Sequence, residues 1–484
     1  MSLGTALSNA VSGLTATARA AEVVSNNVSN ALTPGYAKRE LMISSRLISG
    51  AAAGVKIDGV VRVQDKVALS TSRTASSASA RDTLISSFGL RMEQVFGLPD
   101  AADSLSGRLD GFDAALVAAM NEPSSDAYLR ALSDSAAAVS DRFNEISDAI
   151  QSERLAADNQ IASQVRVLND SLASIDALNR EIVKLRLRSD DVSGLIDQRQ
   201  VLVDRISAIV PVRELDRQGG TIALYTEGGA MLLEGKPVKI EFSPVGVIDP
   251  ESSVAGGALS GLTIGDRSYS AQADEAFAGG SLQALFQLRD ETAPAMQRQI
   301  DALARDLVER FQDPTLDTTL STGDAGLFTD GGAAFDPANE VGLAGRMRLN
   351  AAVDLAAGGQ AWHLRDGLGA ISAGAPGNST LLEAMSDRLR EARVPVSGSY
   401  LGAQKSTQGL AADLLSQIAQ DRLAAEDRSA ASTARLTAAQ QTLARDGVDT
   451  DQEIQTLLVV QQAYAANAKV IQTLDDLLTR LMEI

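Results

Sequence analysis

An apolar repeat at each end of the chain constrains the fold most. Near the N-terminus Leu3, Leu7, Ala10, Leu14, Thr17, Ala21, Val24 and Val28 recur at alternating steps of four and three. The last stretch repeats the pattern at Val460, Ala463, Asn467, Val470, Leu474, Leu477, Leu481 and Ile484. A heptad of this kind leaves a narrow stripe that a partner helix must cover. In an arbitrary protein such a stripe usually packs inside an intramolecular core. Here both stripes lie at the extreme ends, where chains tend to fray. Further apolar residues, Ile454, Leu457, Leu458, Ile471 and Leu478, sit off the C-terminal stripe. A surface that wide calls for more than one partner helix. The expectation is a chain that folds back on itself and assembles into something larger, with the two stripes as its assembly interface.

Composition narrows the class. A chain of 484 residues has room for about three domains, and a hydrophobic fraction of 45% suffices for proper cores. Aromatics are only 4% while Ala, Ser and Leu abound, a mix suited to long helices packed through small residues. A net charge of -19 makes nucleic acid and anionic membrane surfaces poor partners. With no cysteine there is no disulfide, no Cys-zinc site and no thiol chemistry. No apolar run is long enough to span a bilayer. The N-terminus lacks the basic start of a cleavable signal, its first charge being Arg19.

Along the chain, residues 3 to 30 read as one helix, closed by Asn26, Asn27 and Asn30. Thr33-Pro34-Gly35-Tyr36 follows, where Pro then Gly suits the centre of a type II turn. Residues 38 to 80 read as an extended linker or strand segment, its Ser/Ala-rich end being a linker or a helix start. Helical patterning fills 81 to 210, clearest at Ile161, Val165, Leu168, Leu172, Ile175, Leu178, Ile182 and Leu185. Residues 211 to 280 are β-rich, with Val238 to Phe242 alternating strictly as a half-buried strand. Helix resumes at 281 to 312 and returns over 380 to 446, around an irregular segment at 313 to 379. Thr450 and Glu453 read as a capping box opening the final helix. The fold class expected is mainly α with β-rich inserts (α+β). It combines an inner domain of paired terminal helices (1–37 with 447–484), a helical bundle (81–210, 281–312 and 380–446) and a small β domain.

No motif marks chemistry. His363 is the one histidine and stands beside the one Trp, Trp362, with no second ligand or triad partner framing it; a packing role explains it better. Asp446 to Asp451 departs from the calcium-loop order and suits a helix start, where acids are favoured. The Gly-rich stretch from Gly367 to Gly377 lacks both a P-loop and a dinucleotide fingerprint. The expectation is no catalytic residue, no cofactor and no metal.

Three groups of residues carry a resemblance. Ser25-Asn26-Asn27-Val28-Ser29-Asn30-Ala31 with Thr33-Pro34-Gly35-Tyr36 resembles the N-terminal signature of the bacterial flagellar rod, hook and hook-associated proteins. Gly54-Val55-Lys56-Ile57 followed by Arg62 resembles the extended segment after it. Gln461-Gln462-Ala463-Tyr464-Ala465-Ala466-Asn467-Ala468-Lys469-Val470-Ile471 is similar to the closing helix of that family. Inside the chain, Leu195-Ile196-Asp197-Gln198-Arg199, Gly279-Gly280-Ser281-Leu282 and Leu288-Arg289-Asp290-Glu291-Thr292 before Pro294 resemble the hook-associated members, in particular the first protein of the hook–filament junction. The β insert is short for that family.

The resemblance implies a structural adaptor, exported unfolded without a cleaved signal, whose terminal helices line a hollow tube and order on assembly. It implies as partners further copies of the chain, the hook protein, the second junction protein (hook-associated protein 3) and an export chaperone. It implies the extracellular flagellum as the location. Two other readings are a hook or distal-rod subunit, and an exported cell-wall hydrolase that borrows such termini.

Overall fold

The computed structural model describes residues 3–48, 51–98, 101–188, 190–265, 267–269, 275–399 and 404–482. Helix α1 (Leu3–Asn30) leads through a turn into a two-stranded ribbon, β1 (Arg39–Ile48) and β2 (Ala51–Arg62). Then come α2 (Lys66–Phe96), α3 (Leu105–Asn121), α4 (Asp126–Arg186) and α5 (Ser193–Ile209). Seven short strands follow: β3 (Val212–Asp216), β4 (Ile222–Thr226), β5 (Met231–Glu234), β6 (Lys236–Pro237), β7 (Ile240–Glu241), β8 (Leu262–Ile264) and β9 (Arg267–Tyr269). The chain returns to helix in α6 (Gly280–Gln287) and α7 (Ala293–Gln312). A small ribbon, β10 (Phe328–Asp330) with β11 (Met347–Leu349), brackets the one-turn α8 (Leu343–Arg346). The one-turn α9 (His363–Asp366), α10 (Thr380–Arg390), α11 (Thr407–Arg445) and α12 (Thr450–Met482) complete the order. The fold is mainly α with small sheets, as its patterning requires.

Helix α4 is 61 residues long, roughly 90 Å at 1.5 Å per residue. Its apolar face serves two cores in turn. Leu129 to Ile150 pack with α3, α7, α10 and the start of α11 around the rings of Phe112, Phe311 and Phe328. Those three rings meet edge-to-face with centroids 5.5–6.0 Å apart, the geometry their quadrupoles favour. Ala157 to Ile175 pack with α5, α6 and the inner residues of the strands.

Between the two cores the helix buries charge. Arg289 and Asp158 are both fully buried and pair at 2.6 Å. Arg154 donates to the carbonyls of Arg289, Asp249 and Ser252. Arg289 stands in a π-helical turn, Leu288–Thr292, that joins α6 to α7. Such a bulge re-aims one side chain within a helix, and here it delivers a guanidinium to Asp158.

Several expectations are corrected. The extended segment ends at Arg62: residues 66 to 80 are the first half of α2, capped by Asp65, whose carboxylate accepts from the Val67 and Ala68 amides. Their Ser/Ala composition suits a close helix–helix seam. Ser79 faces Thr433, and Gly89 lies against the backbone of Arg422, along α11. The alternating strand at 238–242 is cut short. Chain order carries Lys236–Pro237 in a four-stranded sheet (β3-β4-β5-β6) and Ile240–Glu241 in a three-stranded one (β7-β8-β9). Asn169 of α4 takes the place of a neighbouring strand, bonding both the N–H and the C=O of Ile240. The strands of 212–269 close over no core of their own; Ile222, Leu224, Leu232, Leu233, Ile240 and Leu262 share the one built by α4 and α5. Helix α11 begins at Thr407 behind the Ser406 cap, and residues 401–403 of the helix expected there lie outside the described residues.

One buried carboxyl ties the β10–β11 ribbon to the bundle. Asp301 of α7 accepts from the Gly342 and Ala344 amides and from Gln297. Burial pushes its carboxyl up from 3.8 to about 6, against these donors, which favour the charged form. The unfolded chain therefore releases this proton first as pH rises, and this group's contribution to stability declines between about pH 4 and pH 6. Asp301→Asn should flatten that part of the pH profile in urea denaturation series; an unchanged slope would refute the assignment.

Candidate functional site

The chain ends meet at one buried amide. Asn27, on the last turn of α1, is 1% exposed. Its Oδ1 accepts from the Arg39 backbone N–H at 3.0 Å and from the Tyr36 hydroxyl at 2.8 Å. Its Nδ2 donates to the Arg39 carbonyl at 2.9 Å and to Glu453 Oε2 at 3.0 Å. All of its bonding capacity is thus spent on joining three elements: α1, the start of β1, and α12. Glu453 is 3% exposed, and its other oxygen lies 3.3 Å from Lys38 Nζ.

Local sequence explains how these groups arrive. Pro34 and Gly35 reverse the chain after α1, with the Tyr36 amide bonded to the Thr33 carbonyl at 3.1 Å. Gly35 has φ +78°, and a β-carbon there would strike Val201 of α5. The turn therefore needs glycine both for its conformation and for its seat on the body. Burial, partly opposed by the neighbouring Arg39 cation, pushes the Tyr36 hydroxyl above its ordinary pKa, keeping it a donor to Asn27.

A second carboxylate locks the ribbon to the body. Arg39 and Arg62 are direct cross-strand partners at the open end of the ribbon. Two like charges so placed repel. Asp197 of α5 bridges them, 3.1 Å from Arg39 Nη2 and 2.7 Å from Arg62 Nε. Arg62 also bonds Gln64 and Gln200, and the Arg39 guanidinium lies over the Tyr36 ring. Two residues on, Arg199 donates to Asn179 of α4 and to the Gly220 carbonyl.

Helices α1 and α12 pair antiparallel: Asn27 meets Glu453 at one point and Gly13 meets the Asn467 side chain at another. Of the stripe on α1, Ala10 and Val24 are buried and Leu7, Leu14, Thr17, Ala21 and Val28 are half-buried. On α12, Val460, Ala463, Asn467 and Leu474 are half-buried, whereas Val470 and Leu477 are 45% and 49% exposed. The shielded side of α12 takes in Glu453, Leu457 and Ile471 instead. A straight helix repeats every 3.6 residues, so a strict heptad rotates off the contact line. Ile484 and the side chains of Leu3 and Leu481 lie outside the described residues. Of the family-motif residues, Asn27, Gly35 and Tyr36 form the hub with Asn30, Thr33 and Pro34 around the turn, while Asn26, Gln462 and Tyr464 face solvent.

The capping box is also corrected. Asp449, not Thr450, caps α12, its carboxylate accepting from the Asp451 and Gln452 amides. Glu453 is freed for Asn27 and Lys38. Lys38, Arg39, Asp197 and Glu453 were not singled out as site residues, because each needs a partner many residues away. His363 binds the Gly367 carbonyl at 2.9 Å and stacks on Trp362. Among the described residues no cluster of His, Asp or Glu could hold a metal, and no helix is long and apolar enough to cross a membrane.

Comparison with known proteins matches three segments of the chain. Residues 90–326 match the model for the helical domain of the flagellar hook-associated protein FlgK. Residues 7–36 match the flagella basal body rod protein, and residues 439–484 the C-terminal region of the basal body rod FlgEFG proteins. All three segments thus match models of structural proteins of the bacterial flagellum. Within that class the chain is similar to flagellar hook-associated protein 1. The Salmonella typhimurium protein of that name is 28% identical over 244 residues, 48% of this chain and 43% of that protein, so the match spans less than half of it. The Bacillus subtilis one is 22% identical over 516 residues, 98% of this chain and 97% of that protein. The solved structure of the flagellar hook junction protein FlgK from Burkholderia pseudomallei overlaps at a TM-score of 0.44 with 20% identity, covering 55% of this chain and 46% of that one, too loosely to bear on the fold.

Asn27→Ala should strand the Arg39 amide, the Tyr36 hydroxyl and one carboxylate oxygen of Glu453, at about 1–3 kcal/mol for each buried group. Hydrogen exchange over residues 36–40 and 450–457 should accelerate by an order of magnitude or more. Asn26→Ala, on the exposed side, should leave it unchanged.

Proposed function

We propose that this chain is a structural subunit of the bacterial flagellum that joins hook to filament, without catalytic activity. The observation that carries this reading is the pairing of the two chain ends through Asn27 and Glu453, with an apolar face of α12 left outside the pair. Leu458, Val459, Val470, Leu477 and Leu478 are all 40–64% exposed. Side chains of this size on one helix await cover from neighbouring subunits. The terminal pair (1–37 with 447–484) would then form the inner wall of a tube, with the helical bundle and the small sheets outside it.

The proposed partners are further copies of the chain, the hook protein, hook-associated protein 3, and an export chaperone that shields the C-terminal face beforehand. The proposed location is the extracellular flagellum. The ends order in two stages. The segment around Asn27, Arg39 and Glu453 is held within one chain by its hydrogen bonds, and the distal parts of α1 and α12 become ordered against neighbours.

Deleting residues 452–484 should leave the helical middle folded by circular dichroism, yet yield hooks without filaments in a host lacking its own copy. A motile truncation would refute the reading. Immunogold label should form a band at the hook tip; label along the whole hook would favour a hook subunit.

A further inference from the structure

A cavity of about 600 Å³ lies between the start of α2, the end of α4, α5 and the first strands of the sheet. Its lining is strongly cationic, in a chain whose net charge is -19. Some of these cations have structural partners. Arg62 pairs with Asp197, Lys66 with Asp216, and Arg217 with Glu234. Arg73 pairs with Asp204 and Glu214. Glu214 and Asp216 line the cavity too, but among the described residues Arg186, Arg199 and Arg213 have no carboxylate within ion-pair distance.

One of the lining guanidiniums is held as an anion site would hold it. Arg199 is 6% exposed, fixed through one nitrogen to Asn179 and the Gly220 carbonyl, with only neutral oxygens as partners. Burial lowers its pKa, the Glu214 and Asp216 carboxylates nearby partly offset this, and Arg186 and Arg62 lower it further; neither of these carboxylates is in ion-pair contact with it among the described residues. Arg186 is seated by Gly220, whose φ is +82° and whose hypothetical β-carbon would collide with the guanidinium. A buried cation without a counter-charge is costly. Planar guanidiniums converging on one concave space are suited to bidentate capture of oxyanions.

We propose that this cavity binds a multivalent oxyanion of the phosphate class, held by Arg186, Arg199 and Arg213. The site adjoins the Asp197 clasp, since Arg62 belongs to both. A bound anion would therefore stiffen the attachment of the ribbon to the body.

Calorimetric titration of the full chain with pyrophosphate, at ionic strength fixed with chloride, tests this. One saturable site is expected. The exposed pair Arg186→Ala with Arg213→Ala should weaken it roughly tenfold or more while circular dichroism stays unchanged, since a tenfold change corresponds to about 1.4 kcal/mol. Arg180→Ala, an exposed arginine of α4 outside the cavity, should bind as wild type. No heat beyond the chloride control, undiminished binding by the double variant, or equal weakening by Arg180→Ala would each overturn the proposal.

Discussion

The architecture of the chain ends depends on the hydrogen bonds of a single side-chain amide. An amide offers two donors and two acceptor sites, and Asn27 spends them on the backbone of Arg39, the hydroxyl of Tyr36 and the carboxylate of Glu453. Because the site is buried, each of those groups would be left unsatisfied if the pairing slipped by one residue. The amide therefore sets register as well as adding stability. Pro34 and Gly35 bring Tyr36 back over the end of α1, and Asp449 starts α12 where Glu453 can reach inward. Asp197 then fixes this unit to the body by neutralising two arginines that would otherwise repel across the ribbon.

The body relies on the same device in its middle. Helix α4 is too long for one core, and its Arg154–Asp158 step marks the place where two cores meet. Asp158 receives Arg289 from the π-turn, while Arg154 gathers carbonyls from the same turn and from the 249–252 loop. Buried ion pairs add little net stability but penalise every arrangement that separates them. A subunit that must present its ends at a fixed angle to its bundle gains from such a constraint. The apolar cores supply the cohesion; the buried polar groups choose one geometry among those the apolar surfaces would permit.

Much of this was legible along the chain. Periodicity marked α1, α4, α7 and α12, since each is long and has one apolar face. Pro34-Gly35 marked the turn. Asn27, Tyr36, Asp197, Arg289 and Glu453 all fell within motifs or signals noticed in the sequence, yet their roles did not follow from it. Glu453 looked like a capping-box member because Thr450 stood three residues before it, and only the neighbouring Asp449 displaced it from that role. Residues 66 to 80 carried no apolar stripe because they are built largely from Ser and Ala, which periodicity analysis scarcely weighs. The alternation at 238–242 was real, but Asn169 replaced the strand partner that alternation presumes.

By itself the sequence determined a cysteine-free, acidic, mainly helical chain with matching terminal helices, because helical period and turn chemistry are local properties. Tertiary structure decided which side of α12 meets α1, because the true helical repeat rotates a strict heptad off the contact line and leaves Val470 and Leu477 outward. It also decided that Asp197 meets Arg39 and Arg62, and that Glu453 meets Asn27 across 426 residues. Such pairings depend on where the folded chain returns, and no spacing along the sequence encodes them.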